Sequence, residues 1–111
     1  MSDSANIPGR VRGLVAEDLP TLLAIEKASF ASPWTADMLA SELGVLYGWG
    51  MVVVDEEEQI AGFLLGRKYP DMWHVLDLAV GVAHRRRGFG RALVREFVAA
   101  ADEAGQPQPE P

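Results

Sequence analysis

The 111-residue chain has no cysteine. Disulfides, thiolate nucleophiles and cysteine-based zinc sites are therefore excluded. It has no run of about 18 apolar residues, so no membrane-spanning helix and no membrane partner are expected. Met1 to Arg10 lacks the apolar segment of a signal peptide, so a soluble cytoplasmic protein is the expectation. Positive charge is scarce, with 10 Lys and Arg against 16 Asp and Glu and a net charge of −6. Such a balance argues against a general nucleic-acid surface. Yet five of the ten cations fall between Arg85 and Arg95, which points to one anion site. The acidic run Asp55-Glu56-Glu57-Glu58 reads as a solvated turn. Neighbours in a run rarely converge on an ion, so no metal is expected.

What is present suits one globular domain, with 49% apolar residues. Met1 to Gly9 is polar and expected to be flexible. Val11 to Val15 predicts a short strand. Glu17-Asp18-Leu19-Pro20 reads as a helix start, with acids and proline where the first turn tolerates them. Leu19, Leu22, Leu23, Glu26 and Phe30 share the buried side of that helix at helical spacing. Glu26 reads two ways, as a carboxylate at the edge of the stripe or as a polar contact near a substrate. Ser32-Pro33-Trp34 ends the helix, and Thr35 caps a second one. Met38, Leu39, Leu43 and Leu46 supply its buried side, and Gly44 stops it. Gly48 to Val54 and Ile60 to Arg67 predict a hairpin. Trp73 to Val82 predicts a third strand, with His74, Leu76, Leu78 and Val80 on one face and Val75, Asp77 and Ala79 on the other. Arg87 to Ala104 is predicted helical, burying Phe89, Leu93, Phe97 and Ala100, with Val94, Val98 and Ala101 widening the stripe. Gln106 to Pro111 offers nothing to pack and reads as a disordered tail.

The most informative stretch is His84-Arg85-Arg86-Arg87-Gly88-Phe89-Gly90-Arg91, between the third strand of this series and the last helix. A helix start presents about four unpartnered N–H groups and roughly half a positive charge. Arginines there are unfavourable unless an anion sits among them. Gly88 and Gly90 let a ligand approach the main chain, so the turn predicts a phosphate site.

This order of elements resembles the GCN5-related N-acetyltransferase (GNAT) family. Arg85-x-x-Gly88-x-Gly90 fits its Gln/Arg-x-x-Gly-x-Gly/Ala signature, and Leu78-Ala79-Val80 is similar to the strand before it. Ile25-Glu26 followed by Phe30-x-x-Pro33-Trp34 resembles the RimI-type ribosomal-protein-alanine acetyltransferases. The resemblance implies an α+β mixed-sheet fold over residues 10–104, between a flexible start (1–9) and a Pro-rich tail (105–111). It implies direct transfer of acetyl from acetyl-CoA to a primary amine, such as a protein or peptide N-terminus. Backbone N–H groups of Arg86, Arg87, Gly88, Phe89, Gly90 and Arg91 would hold the pyrophosphate, with Arg85 opening the signature. Main-chain groups of Leu78, Ala79 and Val80 would hold the pantetheine.

Family members continue beyond this helix with a strand and helix that carry a glutamate base and a tyrosine acid. This sequence has neither position, and Tyr47 and Tyr69 match neither, so the expectation is a domain truncated after the cofactor-binding helix. Candidate bases are His74, which also reads as a half-exposed strand histidine beside Trp73, and Asp77, which also reads as a helix partner. Glu26 and Trp34 are candidate substrate contacts. Trp34, Met38 and Trp73 read as pocket lining or as core. An open edge along Val75 to Val82 would invite self-association. The alternatives are a CoA-binding or subunit module without catalysis, a truncated gene product, and an RNA-binding patch at Arg85 to Arg87. The last is disfavoured by the acidic balance and the lack of stacking aromatics.

Overall fold

A computed structural model of the protein describes residues 9–44 and 48–105. The expectations on Met1 to Pro8, Leu46, Tyr47 and Gln106 to Pro111 lie outside the described residues. The elements follow as β1 (Arg10–Gly13), α1 (Leu19–Ser29), α2 (Ala36–Leu43), β2 (Gly48–Val54), β3 (Ile60–Lys68), β4 (Trp73–Val80) and α3 (Phe89–Glu103). The strands form one sheet in the order β1-β2-β3-β4, with every described pairing antiparallel. This is the helix-and-sheet class the sequence implies.

Both faces of the sheet are covered, which is why β2 and β3 read as continuous apolar runs. On one face Val52, Val54, Phe63, Leu65 and Ala79 pack with Leu22 and Ile25 of α1 and Leu39 of α2. On the other, Met51, Val53, Ala61 and Leu64 pack with Phe89, Leu93 and Phe97 of α3. Trp49, Trp73 and Phe97 meet there at tilted to edge-on angles, with centroids 5.2–6.2 Å apart. Gly66 makes room for that cluster, since a Cβ on it would lie 2.7 Å from Phe97 Cε1. No helix among the described residues is long and apolar enough to cross a membrane.

Two bulges correct the simple alternation. Val53 pairs with Gly62 but Val54 with Ile60, so Ala61 is the extra residue in β3. Leu65 pairs with Asp77 but Gly66 with Val75, so Leu76 is the extra residue in β4. A bulge switches the face of everything beyond it. Trp73 therefore shares the α3 side with Leu78 and Val80. His74 moves to the side of Asp77 and Ala79, not the side the period-2 pattern assigned.

Several boundaries and burials also differ from the sequence reading. β1 is Arg10–Gly13 rather than Val11 to Val15, and β4 stops at Val80 before a 3-10 turn, Val82–His84. Helix α3 begins at Phe89 rather than Arg87. The second helix is capped as expected, Thr35 Oγ1 accepting the Met38 N–H at 3.2 Å. Only Leu39 of that helix is buried; Met38 and Leu43 are exposed, as are Phe30, Val94 and Val98.

Candidate functional site

The glycine turn folds as a left-handed corner. Arg86 (φ 64°) and Gly88 (φ 89°) both occupy the left-handed region. Such backbone gathers successive N–H groups into a concavity that suits an anion. Gly88 is the N-cap of α3, and its carbonyl accepts the Ala92 N–H at 3.0 Å. The first-turn amides of Phe89 and Gly90 lie too early in the helix to find an intrahelical acceptor. A Cβ on Gly90 would stand 3.4 Å from Val80 Cγ2, so the helix start lies against the end of β4.

The arginine side chains differ in what they touch. Arg85 folds back, donating from Nε to the Val80 carbonyl at 3.0 Å and from Nη2 to Ser29 Oγ at 3.1 Å. It ties the turn to β4 and α1 instead of reaching outward. Arg87 lies over the Phe89 ring at 5.2 Å and reaches Glu56 at 3.5 Å. Arg86 is exposed.

A second brace was missed in the sequence. Asp55 reads there as part of a solvated turn, yet it is buried. Its Oδ1 accepts the Glu57 and Gln59 N–H groups, each at 2.9 Å, and its Oδ2 meets His84 Nε2 at 2.9 Å. The Gln59 backbone bond, and then His84, hold its carboxyl below the usual aspartate range. His84 in turn sits edge-on to Phe89 at 5.5 Å. The β2–β3 turn thereby anchors the segment that leads into the glycine turn. The legible half was an aspartate opening a tight turn, which bonds the following amides; the histidine partner has no local signature.

Three of the other candidates, Glu26, Trp34 and Asp77, gather on the opposite face. Glu26, Phe30, Ala31, Ser32, Trp34 and Asp77 line one cleft of about 370 Å³ between α1, its following loop and β4. Glu26 is 1% exposed, which corrects the edge-of-stripe reading. Its Oε2 accepts the Trp34 N–H at 2.9 Å, so it fixes the loop after α1. Asp77 is 8% exposed. Burial, and then Glu26, push its carboxyl up to about 7. Glu26 Oε1 and Asp77 Oδ2 are both buried with no donor from the protein. Trp34 both lines the cleft and packs on the α1–α2 core. Trp73 is core on the α3 side, and Met38 is exposed. His74 is exposed, outside the cleft lining, with its ring edge-on to Tyr69 at 5.6 Å.

Between the turn and the cleft runs the outer edge of β4. Among the described residues no strand pairs with that side of it. Its main-chain groups from Leu78 to Val80 can therefore receive an extended ligand as an added strand. A left-handed amide corner for a diphosphate and an open strand edge leading from it fit the parts of coenzyme A.

Comparison with known proteins agrees with this layout. The chain is 26% identical over 95 residues to the [ribosomal protein bS18]-alanine N-acetyltransferase of Escherichia coli K12, covering 86% of this chain and 63% of that protein. It thus spans less than two thirds of that relative's length. The crystal structure of the ribosomal-protein-S18-alanine N-acetyltransferase from Escherichia coli superposes with a TM-score of 0.80 at 24% identity, over 87% of this chain and 61% of that one. The GNAT family N-acetyltransferase YhbS of Escherichia coli, solved in complex with CoA, gives 0.74 at 26% identity, over 90% and 59%. The sequence model of the acetyltransferase (GNAT) family matches residues 19–108, and with the signature turn at the start of α3 and the fold around it, the chain belongs to that family.

Proposed function

We propose that this chain is the cofactor half of an N-acetyltransferase that moves acetyl from acetyl-CoA to a primary amine, the α-amino group of a protein N-terminus in the cytoplasm. The observation that carries this reading is the left-handed corner at Arg86 and Gly88, set at the start of α3 and beside the free edge of β4. Acetyl-CoA, when bound, supplies an acetyl group already activated as a thioester.

The remaining work falls to the chain. The amides of residues 86–91 bind the diphosphate, with Arg86 and Arg87 adding positive charge at the rim. Arg85 holds β4 and the turn together through the Val80 carbonyl. The main chain of Leu78, Ala79 and Val80 would align the pantetheine, and an N–H there would stabilise negative charge developing on the thioester carbonyl. The acceptor enters from the cleft beneath Trp34. The names of the bS18-alanine relatives support the N-terminal acceptor.

Calorimetry with CoA tests the reading. Binding is expected to the unmutated chain and to be lost in Gly88→Val, because a β-branched residue cannot hold φ near 89°. Retained affinity in a folded Gly88→Val overturns the placement of the diphosphate. Turnover with an alanyl peptide separates this enzyme from a module that binds CoA without catalysis. The apolar β4 edge also supports pairing with a second copy, in which case apparent CoA affinity falls as protein concentration rises.

A further inference from the structure

We propose that Glu26 and Asp77 act as one proton-sharing carboxyl pair that receives the acceptor's ammonium in the cleft and takes its proton, Asp77 being the catalytic base and Glu26 the residue that positions and tunes it. The proposal rests on the acetyltransferase reading above and names the group that prepares the amine.

Two acceptors in the cleft stand without a donor. Ionised carboxylates only accept hydrogen bonds. Glu26 Oε1 and Asp77 Oδ2 are both buried, and no protein donor reaches either. A buried acceptor left this way costs free energy unless a proton or a cationic ligand arrives. One proton turns Asp77 into a donor to Glu26, the hydrogen bond through which Glu26 acts on it. An ammonium group brings three donors and a positive charge to the same place.

The surroundings select an amine over other cations. Among the described residues no third acidic or imidazole side chain joins the pair, so a divalent metal would lack ligands. The other lining residues include Phe30 and Trp34, whose ring faces suit an ammonium. The remaining charges on neighbouring elements are engaged or turned away. Arg67 of β3 is bound to Glu42 of α2, Arg85 to Ser29 and the Val80 carbonyl, and Lys27 of α1 is exposed. Asp77 directly precedes Leu78, so the cleft meets the open β4 edge where the acetyl group is expected to lie.

The proton balance closes without further reagents. The ammonium gives one proton to the Asp77 carboxylate, leaving a neutral amine and a carboxyl hydrogen-bonded to Glu26. The amine lone pair forms the N–C bond to the acetyl carbon while the C–S bond breaks. The second amine proton leaves with the sulfur as thiol, and Asp77 then releases its proton to water.

Of the two kinds of primary amine on a protein, an α-amino group, at about 8, gives up its proton to such a carboxyl more readily than a lysine, at about 10.4.

The test uses the unmutated 111-residue chain, Asp77→Asn and Glu26→Gln. Carboxyl carbon NMR of the unmutated chain is expected to show Asp77 titrating near pH 7, and lower in Glu26→Gln. Acetylation of Ala-Ala-Ala-amide is expected to rise with pH through the same midpoint. Asp77→Asn is expected to lose the rise near pH 7, keeping only the one near about 8 from the peptide's own amine, and to lose at least about a hundredfold in kcat/KM, the usual worth of a general base, with CoA affinity intact. An Asp77 signal titrating at the ordinary aspartate value of about 4, an unmutated chain that binds CoA without acetylating the peptide, or a folded Asp77→Asn that keeps the rise near about pH 7 overturns the pair. Failure of CoA to bind the unmutated chain overturns the underlying acetyltransferase reading as well, and so is told apart from failure of the pair alone.

Discussion

An aspartate buried beside a buried glutamate works against folding at neutral pH. Unfolded, Asp77 titrates at about 3.9; folded, its carboxyl is held up at about 7. Between those values the folded chain holds a proton the unfolded chain has lost. Stability therefore falls as pH rises through that window and is level beyond it. A shift of about three pH units corresponds to a penalty on the order of 4 kcal/mol. Asp77→Asn is expected to raise unfolding free energy at about pH 8 by roughly 1–4 kcal/mol and to leave it nearly unchanged at about pH 4. Urea unfolding at the two pH values checks this; equal effects at both would show that Asp77 carries no raised pKa. Asp18 has the opposite sign. Arg12 grips it through two bonds of 2.9 and 3.0 Å and lowers its pKa, so its contribution is lost only in acid. At this scale the residue types were legible but their pairing was not. Glu26 stands out as a charge in an apolar stripe, yet its partner lies two strands and a helix further on.

The legible elements are those whose signal is local. Thr35 caps α2, while the apolar runs Met51 to Val54 and Phe63 to Leu65 mark β2 and β3; each depends on its own few residues. The bulges at Ala61 and Leu76 were not legible, because an extra residue is defined by the strand opposite. The Asp55–His84 link was hidden for the same reason, joining a hairpin turn to a helix start. Through it the hairpin governs the anion turn. Asp55→Ala removes the acceptor for two turn amides and for His84, so the anion turn loses its support from the hairpin. CoA affinity is expected to fall by about tenfold or more, the cost of one or two hydrogen bonds, because Asp55 acts through His84 and the turn amides. Calorimetry on a folded Asp55→Ala checks it, and unchanged affinity would show that the turn holds its shape alone.

At the scale of the molecule, a two-faced sheet places its two candidate sites apart. Helix α3 covers one side and starts at the anion turn, while α1 and α2 cover the other and build the cleft. Strand β4 is the element both sites share. The order of elements and the Arg85-x-x-Gly88-x-Gly90 signature were legible; which helix covers which face comes from the packing. What the order does not show is which candidate base lines the cleft: the bulge at Leu76 puts His74 on the same side as Asp77, yet only Asp77 lies against Glu26 and the loop after α1.

The sheet order also dictates a sequence of events in time. Strands β2, β3 and β4 are successive hairpin neighbours, whereas β1 joins β2 only after α1 and α2 have been looped out between them. Closing a longer loop costs more entropy, so the three-strand meander assembles ahead of β1. The same four-residue strand is then the first to let go. Amide hydrogen exchange is expected to be fastest at Val11, Arg12 and Gly13 among the sheet residues and slowest in β3; uniform protection across the sheet would mean that it opens as one unit.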